Sequence, residues 1–195
     1  MSLDLNVYVK TISADLVPKV LKRLNDFDMV VDVHPDFKFD QENDSGFLPF
    51  KFRLKSPYFD KLKDKDLKSG FEIHIDDFDL QQAKEELKPK LSFFDKLLGK
   101  KQAEVAFATA DIEDRLKDCK KVVTFVWRSN DTFELRFASL TSAILTEITG
   151  GVCCYPADDI WYENKNIVEE AFKEATDYEK TIKEKDFNFY EFDEW

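Results

Sequence analysis

The stretch that decides the fold is TFELRFASLTSAILTEITGGVCCYP, residues 132–156. Two readings compete over its first part. Residues 132–137 alternate polar and apolar, the period of a half-buried strand, which would close a hairpin through Ser129, Asn130 and Asp131. Against this, Asp131 followed by Glu134 has capping-box spacing, and Phe133, Phe137, Leu140, Ile144 and Ile148 recur at helical intervals. One long helix over 132–149 is the favoured reading, with a hairpin strand plus a shorter helix as the alternative. Gly150 then stands where the helix end needs a left-handed residue, and Gly151 lets the chain reverse. Residues 152–155 suit an inner strand, and Pro156 ends it.

The adjacent Cys153 and Cys154 in that strand raise the question of chemistry. Neighbouring strand residues point to opposite faces, so the two thiols cannot chelate one metal. No CxxC and no nearby histidine builds a zinc site. The preceding helix ends here, and its dipole raises a thiol pKa instead of activating it. The glycines follow a helix and do not open one, so they cradle no phosphate. The cysteines are read as structural.

Working outward, 3–10 alternates as a strand and Ser13 is placed to cap a helix over 14–27. Residues 29–33 and 47–54 read as strands, with Pro49 suggesting an edge or a strand start. Ser56-Pro57 opens a short helix reaching about residue 68 before Gly70, and 71–78 is a further strand. That order, β-α-β-β-α-β, points to a ferredoxin-like first half. A helix from 79 breaks at Pro89, an amphipathic piece ends at Gly99, and this region divides sub-halves 1–100 and 101–195 of one compact unit. The second half reads as a strand over 103–109, a short helix, a strand over 121–128, the decisive stretch, a strand over 159–163 and a charged helix over 166–185. The expected fold class is α+β, with an antiparallel or mixed sheet and packed helices.

Lys and Arg number 29 against 40 Asp and Glu, a net charge of −11 over 195 residues. Such a surface repels phosphates and speeds encounter with basic proteins, so a basic protein is the expected partner and nucleic acid is not. No apolar run reaches the roughly 20 residues that span a bilayer, and the N-terminus shows no secretory pattern. Three cysteines without framework spacing fit a reducing cytoplasm.

No H-E-x-x-H, G-x-S-x-G, Walker or GxGxxG pattern is present, and His34 and His74 are isolated. Asp40, Glu42 and Asp44 before Gly46 approach a calcium loop, but the glycine comes one residue late and Lys51 occupies the position of the closing acid. Asp76, Asp77 and Asp79 read as a strand end and helix cap. The alternative is a carboxylate cluster of a small metal-dependent hydrolase. No catalytic residue, metal or cofactor is assigned. Two segments mix acids with aromatics. One is Asp158, Asp159, Trp161 and Tyr162; the other is the tail, with Tyr190, Glu191, Phe192, Asp193, Glu194 and Trp195. Acids of this kind steer a basic partner and aromatics anchor it. The tail also reads as an edge strand docked on its own sheet.

Residues 121–163, with the strand KVVTFVWR, the helix ending LTEIT, GGVCCYP and the D-D-x-W-Y turn, resemble small acidic bacterial α+β proteins of unassigned biochemistry. Some of these are encoded beside polymorphic toxins as immunity proteins. In them an aspartate usually follows the strand, whereas here Tyr155 and Pro156 intervene before Asp158. The resemblance implies a cytoplasmic, non-enzymatic protein that blocks a toxin by covering it, and it fixes no site residue. The remaining alternative is a self-associating structural or regulatory domain, a homodimer.

Overall fold

The alternation in 3–10 builds β1 (Leu3–Val9), and this strand takes a place that chain order does not announce. The computed structural model describes residues 3–37, 39, 46–89, 105–128, 131–162 and 165–195. In it β1 lies between β5 (Lys121–Trp127) and β6 (Val152–Tyr155), antiparallel to both. The sheet runs in the order β2 (Met29–Val33), β3 (Gly46–Leu54), β4 (Leu67–Asp77), β5, β1, β6 and β7 (Ile160–Tyr162). A short β8 (Tyr190–Glu191) continues the column of β5, pairing with the start of β4 where β5 has ended. All pairings are antiparallel. Among the described residues, five helices pack on this sheet: α1 (Leu16–Leu24), α2 (Leu80–Leu87), α3 (Ala110–Leu116), α4 (Glu134–Thr149) and α5 (Ile167–Thr181). The fold is α+β, and strands of 1–100 and 101–195 share one sheet.

Four expectations are corrected. The first half is not ferredoxin-like, because β1 leaves β2–β4 for the second half. Leu5, Val7 and Val9 feed one core and Tyr8 the other, and a strand apolar on both faces belongs inside a sheet with cover on both sides. The helix expected after Ser56-Pro57 is a single 3-10 turn, Asp60–Leu62, and Gly70 lies inside β4. A Cβ on Gly70 would fall 2.2 Å from the Leu48 carbonyl oxygen, so only glycine fits that crossing. The strand expected over 103–109 is irregular in its described part, 105–109. There the Phe107 amide donates to Glu113 Oε1 at 2.7 Å and the ring turns onto Tyr8 and Trp161. Pro49 sits within β3, not on an edge. Its carbonyl accepts the His34 amide just past the last β2 pair, Val33 with Phe50, so its missing N–H faces the end of β2. The expected amphipathic piece at 91–99, and 40–45 of the calcium-like loop, lie outside the described residues.

The decisive stretch is helical. Asp131 Oδ1 accepts the Phe133 amide at 3.0 Å, while Glu134 Oε2 reaches back to the Arg128 amide at 2.7 Å. The two acids thus fasten the helix entry, although not as a reciprocal box around one residue. Gly150 takes φ 65° and ψ 25°, the left-handed cap. Almost every residue of 136–146 is buried, so α4 is the central helix of the inner face. Phe137 stacks on Phe50 at 4.6 Å and meets Phe52 at 4.9 Å. Each such side chain contributes about 1.5–3 kcal/mol by leaving water. Two of its buried hydroxyls donate within the helix, Thr146 Oγ1 to the Ser142 carbonyl at 2.8 Å and Ser142 Oγ to the Ser139 carbonyl at 2.9 Å, while Thr141 Oγ1 is buried without a hydrogen-bond partner among the described residues. At its start α4 is pinned to α5. Arg136 Nε and Nη2 donate to the two Glu179 oxygens at 2.8 and 2.6 Å, Nη2 also meets the Tyr58 hydroxyl, and both charged side chains are 1% exposed.

Among the described residues, the outer face is covered only in part. Helices α2 and α3 and segment 105–109 close a smaller core over Tyr8, Val152, Cys154 and Leu116. The outer side of β3 and of the first half of β4 carries Lys51, Arg53, Lys68 and Glu72, which form ion pairs along the sheet surface. No helix among the described residues is long and apolar enough to cross a membrane.

Candidate partner-binding surface

The sheet ends at the β6–β7 hairpin. After β6 the chain makes a 3-10 turn, Pro156–Asp158, and Asp159 at φ 52° turns it back into β7. Among the described residues β7 is paired with β6 alone, so its outer edge is open. Asp158 and Asp159 are exposed at the tip, and Ile160 beside them is 44% exposed. Trp161 is not a free anchor. It stacks on Tyr8 at 5.8 Å, meets Phe107 edge-on at 5.8 Å, and donates its Nε1–H to Asp159 Oδ1 at 2.9 Å. Its indole is a lid on the smaller core. Tyr162 points to the other face, into a groove of about 40 Å³ between the hairpin and α5. Glu170 and Glu174, one turn apart, form its α5 wall, and Cys153 lies in its floor. Burial pushes the Tyr162 hydroxyl up to about 12, and Cys153 and Glu174 add to the shift.

The tail is elsewhere. Counted along the pairing ladder, Trp161 lies in the row of His74 and Tyr190 in the row of Lys68. Strand spacings put the two segments about 14 Å apart across the sheet and about 20 Å apart along it. The two acidic-aromatic segments therefore do not form one surface. The tail docks as an edge strand, with Phe187 buried behind it. Its acids are engaged within the chain: Asp193 Oδ1 lies 2.6 Å from Lys68 Nζ, and Glu191 pairs with Lys65. Lys68 holds the Asp193 carboxyl below its ordinary range. Phe192 lies 5.0 Å from Lys51 Nζ, and Trp195 packs on His34 at 5.4 Å. Tyr190 is 53% exposed and Glu194 is also exposed.

The thiols are where the strand alternation puts them. Cys153 faces the inner core and Cys154 the outer one. Burial raises both to about 12 and raises Cys119 as well, so all three are protonated at neutral pH. The carboxylates 76, 77 and 79 do separate work. Asp77 pairs with Lys121 at 2.9 Å, Asp79 Oδ1 caps α2 through the Gln82 amide at 2.9 Å, and Asp76 is exposed on the strand. Among the described residues no three acid, cysteine or histidine side chains converge as a metal site. A wider cleft of about 310 Å³ is lined by Trp127, Arg128, Asp131 and Tyr178. Burial raises the Asp131 carboxyl to about 6, against the pull of Ser69 and the Phe133 amide.

Sequence reasoning missed Ile160, Glu170 and Glu174. The i,i+4 spacing of the two glutamates was a readable signal, but nothing local places α5 beside β7. It also missed the cations beneath the tail, whose signal is the alternation of Lys51 and Arg53 on one face of β3. Comparisons with protein-family models, with curated proteins and with solved structures each give no match, so the functional reading rests on these surfaces.

Proposed function

We propose that the chain is a non-enzymatic, acidic protein-binding module whose partner is a basic protein, and that the open β7 edge with the adjoining acidic wall of α5 is its binding face. The observation that carries this reading is the composition of that edge: a strand paired on one side only among the described residues, with exposed Ile160, flanked by Asp158 and Asp159 on one side and by Glu170 and Glu174 on the other. An open edge offers backbone groups to an incoming chain, and the acids select a basic one. The net charge of −11 steers the encounter. The resemblance of 121–163 to immunity proteins supports an inhibitor that covers a basic toxin in the cytoplasm. Three free, buried cysteines are compatible with that compartment.

A second reading, self-association, is favoured by the opposite sheet edge, where β2 presents Val30 at 54% exposure. The metal-dependent hydrolase has no comparable observation behind it, since its aspartates pair with Lys121 and cap α2.

Affinity capture from the source lysate tests the proposal. The intact chain should retain a basic protein at low salt and release it as salt rises. Asp158→Lys with Glu174→Lys should cut that capture about tenfold or more. Capture indifferent to these charges, or a concentration-dependent dimer as the only complex, would remove the edge from the function.

A further inference from the structure

The face beneath the tail has the opposite sign to the rest of the molecule. Lys51, Arg53, Lys65 and Lys68 gather on and beside the outer side of β3 and β4, answered by Asp32 and Asp66 of the body. Lys51 and Arg53 share the single carboxylate of Asp66, at 3.3 and 2.7 Å. Residues 190–195 supply the remaining negative charge. They also fill a gap in the sheet: opposite β3, β5 pairs with β4 from Glu72 onward, and among the described residues β8 covers that side of Leu67 and Lys68. The Phe192 amide extends the pairing to the Asp66 carbonyl at 2.9 Å.

The hold on this strap is weak. Phe187 is buried and Asn188 exchanges hydrogen bonds with Thr132, so the chain is anchored up to that point. Beyond it there are two ladder residues, exposed ion pairs, and aromatics that are only partly covered. Exposed pairs of this kind contribute little to stability, because water screens them. Segment 190–195 can therefore lift off without unmaking the core.

We propose that the outer face of β3–β4 is a docking site for an extended, acidic segment of a partner protein with aromatics at alternate positions, and that residues 190–195 are its resident occupant in cis. The incoming segment pairs with the start of β4, its carboxylates take Lys65 and Lys68, and an aromatic ring takes the Lys51 ammonium. This surface is independent of the acidic β7 edge, and its partner has the opposite charge.

The test uses a fluorescent peptide of residues 188–195, NFYEFDEW, titrated against the chain truncated after Phe189. The truncated chain should bind at least about tenfold more tightly than the intact chain, whose site is already filled. Binding should weaken about tenfold with Lys51→Glu plus Lys68→Glu, and a scrambled peptide should bind worse. If the truncated chain does not fold, the full-length chain with Glu191→Lys, Phe192→Ser and Asp193→Lys frees the same face and is read identically. Equal binding by truncated and intact chains, or equal binding of the scrambled peptide, overturns the proposal. So does an intact-chain dimer in light scattering that disappears on truncation, since the occupant would then be a second copy of the chain.

Discussion

Two ion pairs in this protein have the same length and opposite meanings. Arg136–Glu179 and Lys68–Asp193 each close to 2.6 Å, but the first is 1% exposed on both sides and the second 41% and 71%. The first lies under the inner face, where α4 and α5 seal it from water. The second lies on the outer face, where the sheet is bare and the tail rests on it. A buried pair cannot lose one member without stranding a charge, whereas an exposed pair exchanges either member for water. The inner face therefore holds the larger core of the fold, and the proposed binding surfaces lie on the outer face and at the β7 edge.

The largest test of that contrast is Glu179→Gln. It leaves the Arg136 guanidinium buried beside Phe133 and Phe172 without its counter-ion, and should cost about 3–5 kcal/mol in urea unfolding. Arg136→Met with Glu179→Leu should recover most of that loss, because the stranded charge is gone. A cost under about 1 kcal/mol for the single change would put this pair in the same class as Lys68–Asp193.

Asp131 sharpens the same boundary through pH. Its folded pKa, about 6, is raised above the ordinary aspartate value by burial. The protonated form therefore favours the native state, a contribution complete below the unfolded pKa and lost as pH rises through about 6. Asp131→Asn keeps an acceptor for the Phe133 amide and removes the buried charge. It should stabilise by about 2–3 kcal/mol above neutral pH and by almost nothing below about pH 4. A gain independent of pH would show that the carboxylate is not the source.

Gly150→Ala comes next, at about 1–2 kcal/mol, because a side chain must enter the left-handed cap of α4 although nothing lies within 4 Å of its Cβ position. The smallest effect is expected for Asp193→Asn, which should leave the urea unfolding midpoint essentially unchanged. The same change should still loosen the tail, seen as faster amide exchange at 190–192. A loss comparable to that of Glu179→Gln would make the tail part of the core.

Much of the fold was legible because the signals were local. Strands alternated, α4 kept its apolar spacing, Gly150 marked the helix end, and Asp79 marked the start of α2. The place of β1 was not legible. Its two buried faces are visible in Leu5, Val7, Tyr8 and Val9, but which strands flank it depends on contacts more than a hundred residues away. Arg136 was hidden for the same reason, as an arginine in an apolar stripe whose partner lies on another helix. In the candidate surface, the exposed acids at 158–159 were readable from composition. The contacts of Trp161 were not readable because Tyr8 and Phe107 come from distant segments; the docking of the tail as an edge strand was readable from its alternation, but not the Lys51, Lys65 and Lys68 beneath it.

Amide exchange of the intact chain, alone and with the basic protein it captures, addresses the central proposal most directly. Slowed exchange across 152–162 and 167–175, with 46–54 unchanged, is the predicted result. Protection confined to β3, β4 and the tail, with the β7 edge exchanging as freely as before, would contradict it.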